Sequence, residues 1–150
     1  MKKLLFLCFA ACGPAPSYHP TYVDDAYLAD FLTIADHVNG ELGYDVLSIS
    51  DCGVGRIDVK SAADHEFWAR RPKDTVGTIK NKTIITIQPA DEFSRLYAPT
   101  ALAHELGHAL GLRHADYGLM LPYLTRSCVG VEGQCLVEAL RDQGLVQPIQ

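Results

Sequence analysis

The sequence predicts a single α+β domain, and three observations carry that reading. The first is length: 150 residues suffice for one hydrophobic core, but not for a catalytic domain plus a separate pro-domain or binding module. The second is the order of the periodic segments, which runs helix, several strands, helix, irregular turn, helix; regular strand–helix alternation would instead indicate βαβ units. The third is the period itself. Apolar residues recur at helical spacing near both ends of the chain, whereas the runs between them are short and rich in Ile, Val and Thr.

Taken in order, "DDAYLADFLTIADHVNGELG" puts Tyr27, Leu28, Phe31, Ile34, Ala35 and Val38 on one helical face, with Asp24 to cap the start and Gly40 or Gly43 to end it. "YDVLSIS" and "GRIDVKSA" read as short strands around the turn-like "DCGVG". A polar segment through Trp68 and Pro72 leads to "TVGTIKNKTIITIQP", two Thr- and Ile-rich runs expected to pair as a hairpin joined near Asn81 and Lys82. "APTALAHELGHALGL" is the second helix: Pro99 suits its first turn, and Leu102, Leu106, Ala109 and Leu110 form its apolar back face. "EGQCLVEALRDQG" has helical spacing and a terminal Gly144, giving the third.

The opening "MKKLLFLCFAAC" is set apart from the fold. Two lysines, a short apolar run and small residues ending at Cys12 make a bacterial export signal, and the run is far shorter than the roughly 20 apolar residues of a spanning helix. "FAAC" resembles a lipobox, in which cleavage precedes a cysteine that is then lipidated, although Phe9 stands where Leu is more usual; ordinary cleavage and free secretion is the alternative. The expected organisation is a signal over 1–11, a Pro-rich tether over 12–23 anchored through Cys12, and a domain over 24–150. Both routes end outside the cytoplasm, in the cell envelope or the medium. There Cys128 and Cys135, close in sequence around a Gly-containing loop, are expected to pair, leaving Cys52 buried and free.

Charge narrows the partners. Without Lys2 and Lys3 the chain keeps 11 basic against 18 acidic residues, a formal charge of −7. Nucleic acid is not expected as a partner, and "ARRPK" (Ala69–Lys73) reads as a solvated loop. The membrane is reached only through a lipid on Cys12. No dense acidic cluster suggests a calcium loop, and the chain is expected to be a monomer.

The chemistry is concentrated in "HELGHALGLRH", His104–His114, which holds three of the six histidines. Residues four apart on a helix lie about 40° apart around the axis, so His104 and His108 point the same way. Glu105, beside the first, can reach a water on a metal without being a ligand. A continuing helix would put His114 on another face; Gly111 can end the helix in a left-handed conformation and turn the chain back, so that His114 closes a triangle. Three neutral imidazoles leave a tetrahedral Zn2+ one open position, as catalytic sites require.

The eleven residues match the metzincin signature H-E-x-x-H-x-x-G-x-x-H in full, and Met120, six residues after the third histidine, looks like that clan's Met-turn. Within the clan the chain most resembles the matrixins, from "GLMLP", which supplies Leu119, Met120 and Pro122 at matching places. It departs from them in having Ala115 where Ser is usual and Tyr123 directly after Pro122; Tyr123 is not assigned as a ligand. The resemblance extends over roughly Asp24 to Gly144 and is strongest from Ala98 to Tyr123. The first metzincin strand is either absent or supplied by "SYHPTYV". "DCGVG" resembles the matrixin cysteine switch, but Cys52 lies too late in the chain for a pro-segment and is read as a strand-turn cysteine.

The resemblance implies a zincin-type domain with a small twisted, mostly antiparallel-edged sheet, an active-site helix, the Met-turn and a C-terminal helix. It also implies a zinc endopeptidase in which His104, His108 and His114 hold the metal and Glu105 is the general base. An extended protein or peptide substrate would pair with the edge strand, taken as Thr83–Gln88, and a pocket with an apolar lining would lie between the helix and "LPYL". Two other functions stay open: an inert zinc-binding surface lipoprotein, against which Glu105 argues, and a zinc hydrolase of cell-wall peptides.

Overall fold

The computed structural model describes residues 19–49, 57–61, 77–81, 83–87, 92–123 and 126–146. The export signal, Cys12, Cys52, Trp68 and the Ala69–Lys73 cluster lie outside the described residues. Strand β1 (His19–Val23) takes in the last residues assigned to the tether, so "SYHPTYV" does supply a first strand. Thr21 and Val23 are buried and Tyr22 between them is exposed, the period-two alternation of a strand covered on one face.

Helix α1 (Asp25–Leu42) buries Tyr27, Phe31, Ile34, Ala35, Val38 and Leu42. Asp24 occupies the N-cap position without a side-chain capping hydrogen bond; its backbone N–H donates to the Val59 carbonyl at 3.0 Å. The stop is Gly43 at φ 74°, not Gly40. Asn39 then directs the chain into strand β2 (Leu47–Ile49): its Oδ1 accepts from the N–H groups of Val46 and Leu47 at 2.8 and 3.0 Å, and its Nδ2 donates to the Leu47 carbonyl at 2.7 Å.

With β3 (Ile57–Ser61), β4 (Gly77–Lys80) and β5 (Ile84–Ile87), the described strands form one sheet in the order β2-β1-β3-β5-β4. The α+β class holds, but the sheet is mostly parallel: β1 pairs in parallel with β2 and β3, β3 with β5, and only β4 runs antiparallel, against β5. Consequently β1–α1–β2 is a parallel crossover unit of the kind the element order argued against. Half-buried alternation encodes which face of a strand is covered and is blind to strand direction. The β4–β5 hairpin forms as expected, turning at Asn81 (φ 55°) with the Thr83 N–H on the Lys80 carbonyl at 3.1 Å.

Helix α2 (Glu92–Ala109) begins before "APTALAHELGHALGL", and Pro99 lies inside it, not in its first turn. An internal proline forfeits one helical hydrogen bond and costs on the order of 3 kcal/mol in an exposed helix. Here the turns around it are enclosed on nearly every side: Tyr97 and Ala98 before it and Thr100 to Leu106 after it are buried between β4, β5, α1 and α3. Full burial of each Leu contributes about 1.5–3 kcal/mol, enough to carry the helix through the proline. Helix α3 (Glu132–Asp142) packs Leu136, Val137 and Leu140 into the same core. Cys128 and Cys135 are joined, with Cα atoms 6.0 Å apart, which ties the short helical turn Arg126–Cys128 to α3. Among the described residues no helix is long and apolar enough to cross a membrane.

Candidate metal centre

Gly111 (φ 103°) ends α2 in a left-handed turn. Its N–H donates to the His108 carbonyl at 3.1 Å and that of Leu112 to the Gly107 carbonyl at 2.9 Å, the paired bonds of a Schellman closure. The chain reverses as expected and delivers His114 to the two helical histidines. His108 Nε2 lies 3.1 Å from His104 Nε2 and 3.1 Å from His114 Nε2, and the three donor atoms all fall within 4.8 Å of one another.

The tautomers explain what that cluster is suited to hold. His104 Nδ1 is 2.7 Å from the Leu119 carbonyl and His108 Nδ1 is 2.9 Å from the Leu112 carbonyl. A carbonyl only accepts, so each Nδ1 carries the proton and each neutral ring presents a bare lone pair at Nε2. Burial, assisted by the neighbouring histidines, pushes His104 down to about 4 and His108 below its ordinary value, so neither ring readily takes a second proton at neutral pH. Lone pairs held this close repel unless a cation sits between them. Nitrogens sharing one metal at bonds of about 2.0–2.1 Å are separated by about 3.3 Å, which the observed spacing approaches. The His104, His108 and His114 group can hold a metal ion.

Glu105 is buried and points towards the sheet instead of joining the three nitrogens. Burial pushes its carboxyl up to about 7. It faces the first residue of β4: a Cβ at Gly77 would stand 3.3 Å from Glu105 Cγ, 3.1 Å from Ile87 Cδ1 and 3.5 Å from Ala101 Cβ. A side chain there would take the space that Glu105 uses. A lone glycine in a Thr- and Ile-rich strand is the sequence signal that could have found this contact.

Met120 is buried in the short helical turn Gly118–Met120 and lies under α2 at Gly107, where an added Cβ would come within 2.8 Å of its Sδ. The Ala115 N–H closes this loop on the Met120 carbonyl at 2.9 Å, and Leu119 beside it supplies the carbonyl that orients His104. These backbone partners left no trace in the sequence. A cleft lined by Tyr117, Leu119, Met120, Ala139 and Asp142 opens between this turn and α3. Beyond the turn, Pro122 and Tyr123 are exposed, and Leu124 of the expected pocket lies outside the described residues.

One expected site feature is corrected. The strand taken as the sheet edge, Thr83–Gln88, contains β5, whose two sides are occupied by β3 and β4. Among the described residues β4 ends the sheet on that side. Compared with protein-family models and with curated proteins, the chain matches none.

Proposed function

We propose that this protein is a zinc-dependent endopeptidase of metzincin type. The observation that carries the proposal is the convergence of three Nε2 atoms, two with their tautomer set by backbone carbonyls. Nitrogen-only donors in a triangle, with His114 exposed, suit zinc with one position left for chemistry. Bound there, zinc supplies Lewis acidity, which acidifies water and polarises a carbonyl.

The residues of the chain do the rest. Glu105 takes a proton from the attacking water onto its carboxylate and passes it to the nitrogen of the departing amine; burial, which raises this carboxyl in the metal-free protein, makes it a stronger base than an exposed one. Gly77 leaves the room that the Glu105 side chain occupies. The metzincin resemblance, in which an extended substrate adds to the sheet edge, assigns this task to β4, whose end carries Gly77 opposite Glu105. A buried carboxylate that raises the energy of the fold has no purpose in an inert metal-holding surface protein, which favours the enzyme. Export, with Cys12 as the lipid-bearing residue, belongs to the same proposal.

The test is metal analysis and peptide cleavage on the purified protein and on His108→Ala. The wild type should carry one zinc and cut a mixed peptide library in a chelator-sensitive way, and the variant should do neither. Zinc-loaded protein that cleaves nothing across broad libraries would overturn the peptidase; release of peptides from purified murein alone would redirect it to cell-wall peptides.

A further inference from the structure

The three histidines are not held alike. His104 and His108 are each oriented by a carbonyl at Nδ1, but among the described residues no carbonyl does this for His114, which is exposed and lies beyond the Gly111 turn. A ligand on such a segment loses conformational freedom when it engages a metal, and affinity falls accordingly unless the segment is already fixed.

What fixes it comes from the other end of the domain. The side-chain amide of Gln143, at the C-cap of α3, meets both backbone groups of Arg113, the residue before His114. The Arg113 N–H donates to Gln143 Oε1 at 2.9 Å, and Gln143 Nε2 donates to the Arg113 carbonyl at 2.7 Å. Only a side chain with a donor and an acceptor on one planar group can make this exchange. Gln143 is itself stationed by its N–H on the Ala139 carbonyl at 3.1 Å and by the closing turn at Gly144, where the N–H groups of Gly144 and Leu145 reach the carbonyls of Arg141 and Leu140 at 3.0 and 2.9 Å.

We propose that Gln143 is the positioning residue of the third metal ligand: by clamping Arg113 it holds His114 with its Nε2 turned to those of His104 and His108. The proposal rests on the metal-binding reading above. It gives α3, which carries no ligand, a part in the site, and it makes the rigidity of that helix a determinant of metal affinity.

Zinc itself is the probe, titrated in competition with a chelator of known affinity at neutral pH. The proteins are the wild type, Gln143→Ala, His114→Ala, the double variant, and Arg141→Ala, which removes the contact to Glu41 from the same turn of α3. Gln143→Ala should weaken zinc binding about 10- to 100-fold, as loss of a ligand's outer partner does. Arg141→Ala should bind as the wild type does. In the His114→Ala background Gln143→Ala should have no further effect, because its action passes through that histidine. Equal affinity of wild type and Gln143→Ala, or an undiminished loss when His114 is already gone, overturns the positioning role and leaves the metal centre standing. Zinc binding by none of the proteins overturns the metal reading, and this proposal with it.

Discussion

Replacing Glu105 by Gln should make the metal-free protein more stable while removing its activity. The carboxyl is pushed by burial from its ordinary 4.5 up to about 7. Between those values the folded state binds more protons than the unfolded state, so stability falls as pH rises through the window. A displacement of about 2.5 pH units at about 1.4 kcal/mol each corresponds to a cost of about 3 kcal/mol above pH 8, and to none below pH 4.5. Gln keeps the shape and the helix preference without the charge. His104 works in the opposite direction: its lowered value means stability present above 6.5 and lost towards 4, but both proteins share that loss and it cancels in their difference. Thermal and denaturant unfolding with chelator present should show near-equal stability at pH 4.5 and an advantage for Glu105→Gln of about 3 kcal/mol at pH 8, some 6–12 °C for a chain of this size. With equal zinc loading, turnover should drop on the order of 10² to 10⁴. A stability difference independent of pH, or a wild type more stable at pH 8, would refute the account of Glu105 as a carboxylate held at a cost for chemistry.

Three further outcomes are expected. Because burial holds His104 down to about 4 and His108 below its ordinary value, protons should compete weakly with zinc at these two rings, and chelator-competition titrations should show little loss of affinity through them until the pH is well below neutral. In the metal-free Glu105→Gln protein, where the opposing contribution of Glu105 is absent, His104 should meanwhile cost the fold on the order of 3 kcal/mol between pH 6.5 and 4. Gly77→Val, which intrudes on Glu105 Cγ and Ile87 Cδ1, should cost about 1–3 kcal/mol by overpacking and lower turnover while zinc stoichiometry stays at the wild-type value; unchanged kinetics would show that Glu105 does not use that space. Cys12→Ala should move the protein from the membrane fraction to the soluble exported fraction with its unfolding curve unchanged, and wild-type protein without an acyl mass would exclude the anchor.

How far the sequence was legible depends on the range of the physics involved. The histidine cluster was readable because each step is local: helical repeat puts His104 over His108, and a left-handed glycine at Gly111 reverses the chain within a few residues of both. The Cys128–Cys135 pair and the end of α3 at Gly144 were readable for the same reason, being set within a single short loop and a single helix terminus. Less was readable where burial overrode propensity. Pro99 reads as a start signal, yet α2 runs through it because the core encloses the turns beyond.

Strand direction, the identity of the edge strand and the supports of the site needed the assembled molecule. An alternating strand looks the same whether its neighbour is parallel or antiparallel, so nothing in "TIITIQ" distinguished an edge from the interior position that β5 holds between β3 and β4. The Leu119 carbonyl behind His104, Gly77 across from Glu105 and Gln143 on Arg113 are contacts between residues far apart in the chain. Leu119 and Gln143 carry no distinctive pattern of their own, and Gly77 only that of a glycine in a Thr- and Ile-rich strand. The sequence by itself determined which atoms can hold a metal and which carboxyl stands beside them in the chain, because local backbone geometry sets both; only tertiary packing decided how His104 and His114 are aimed, because the Leu119 carbonyl and the Gln143 amide arrive from other elements.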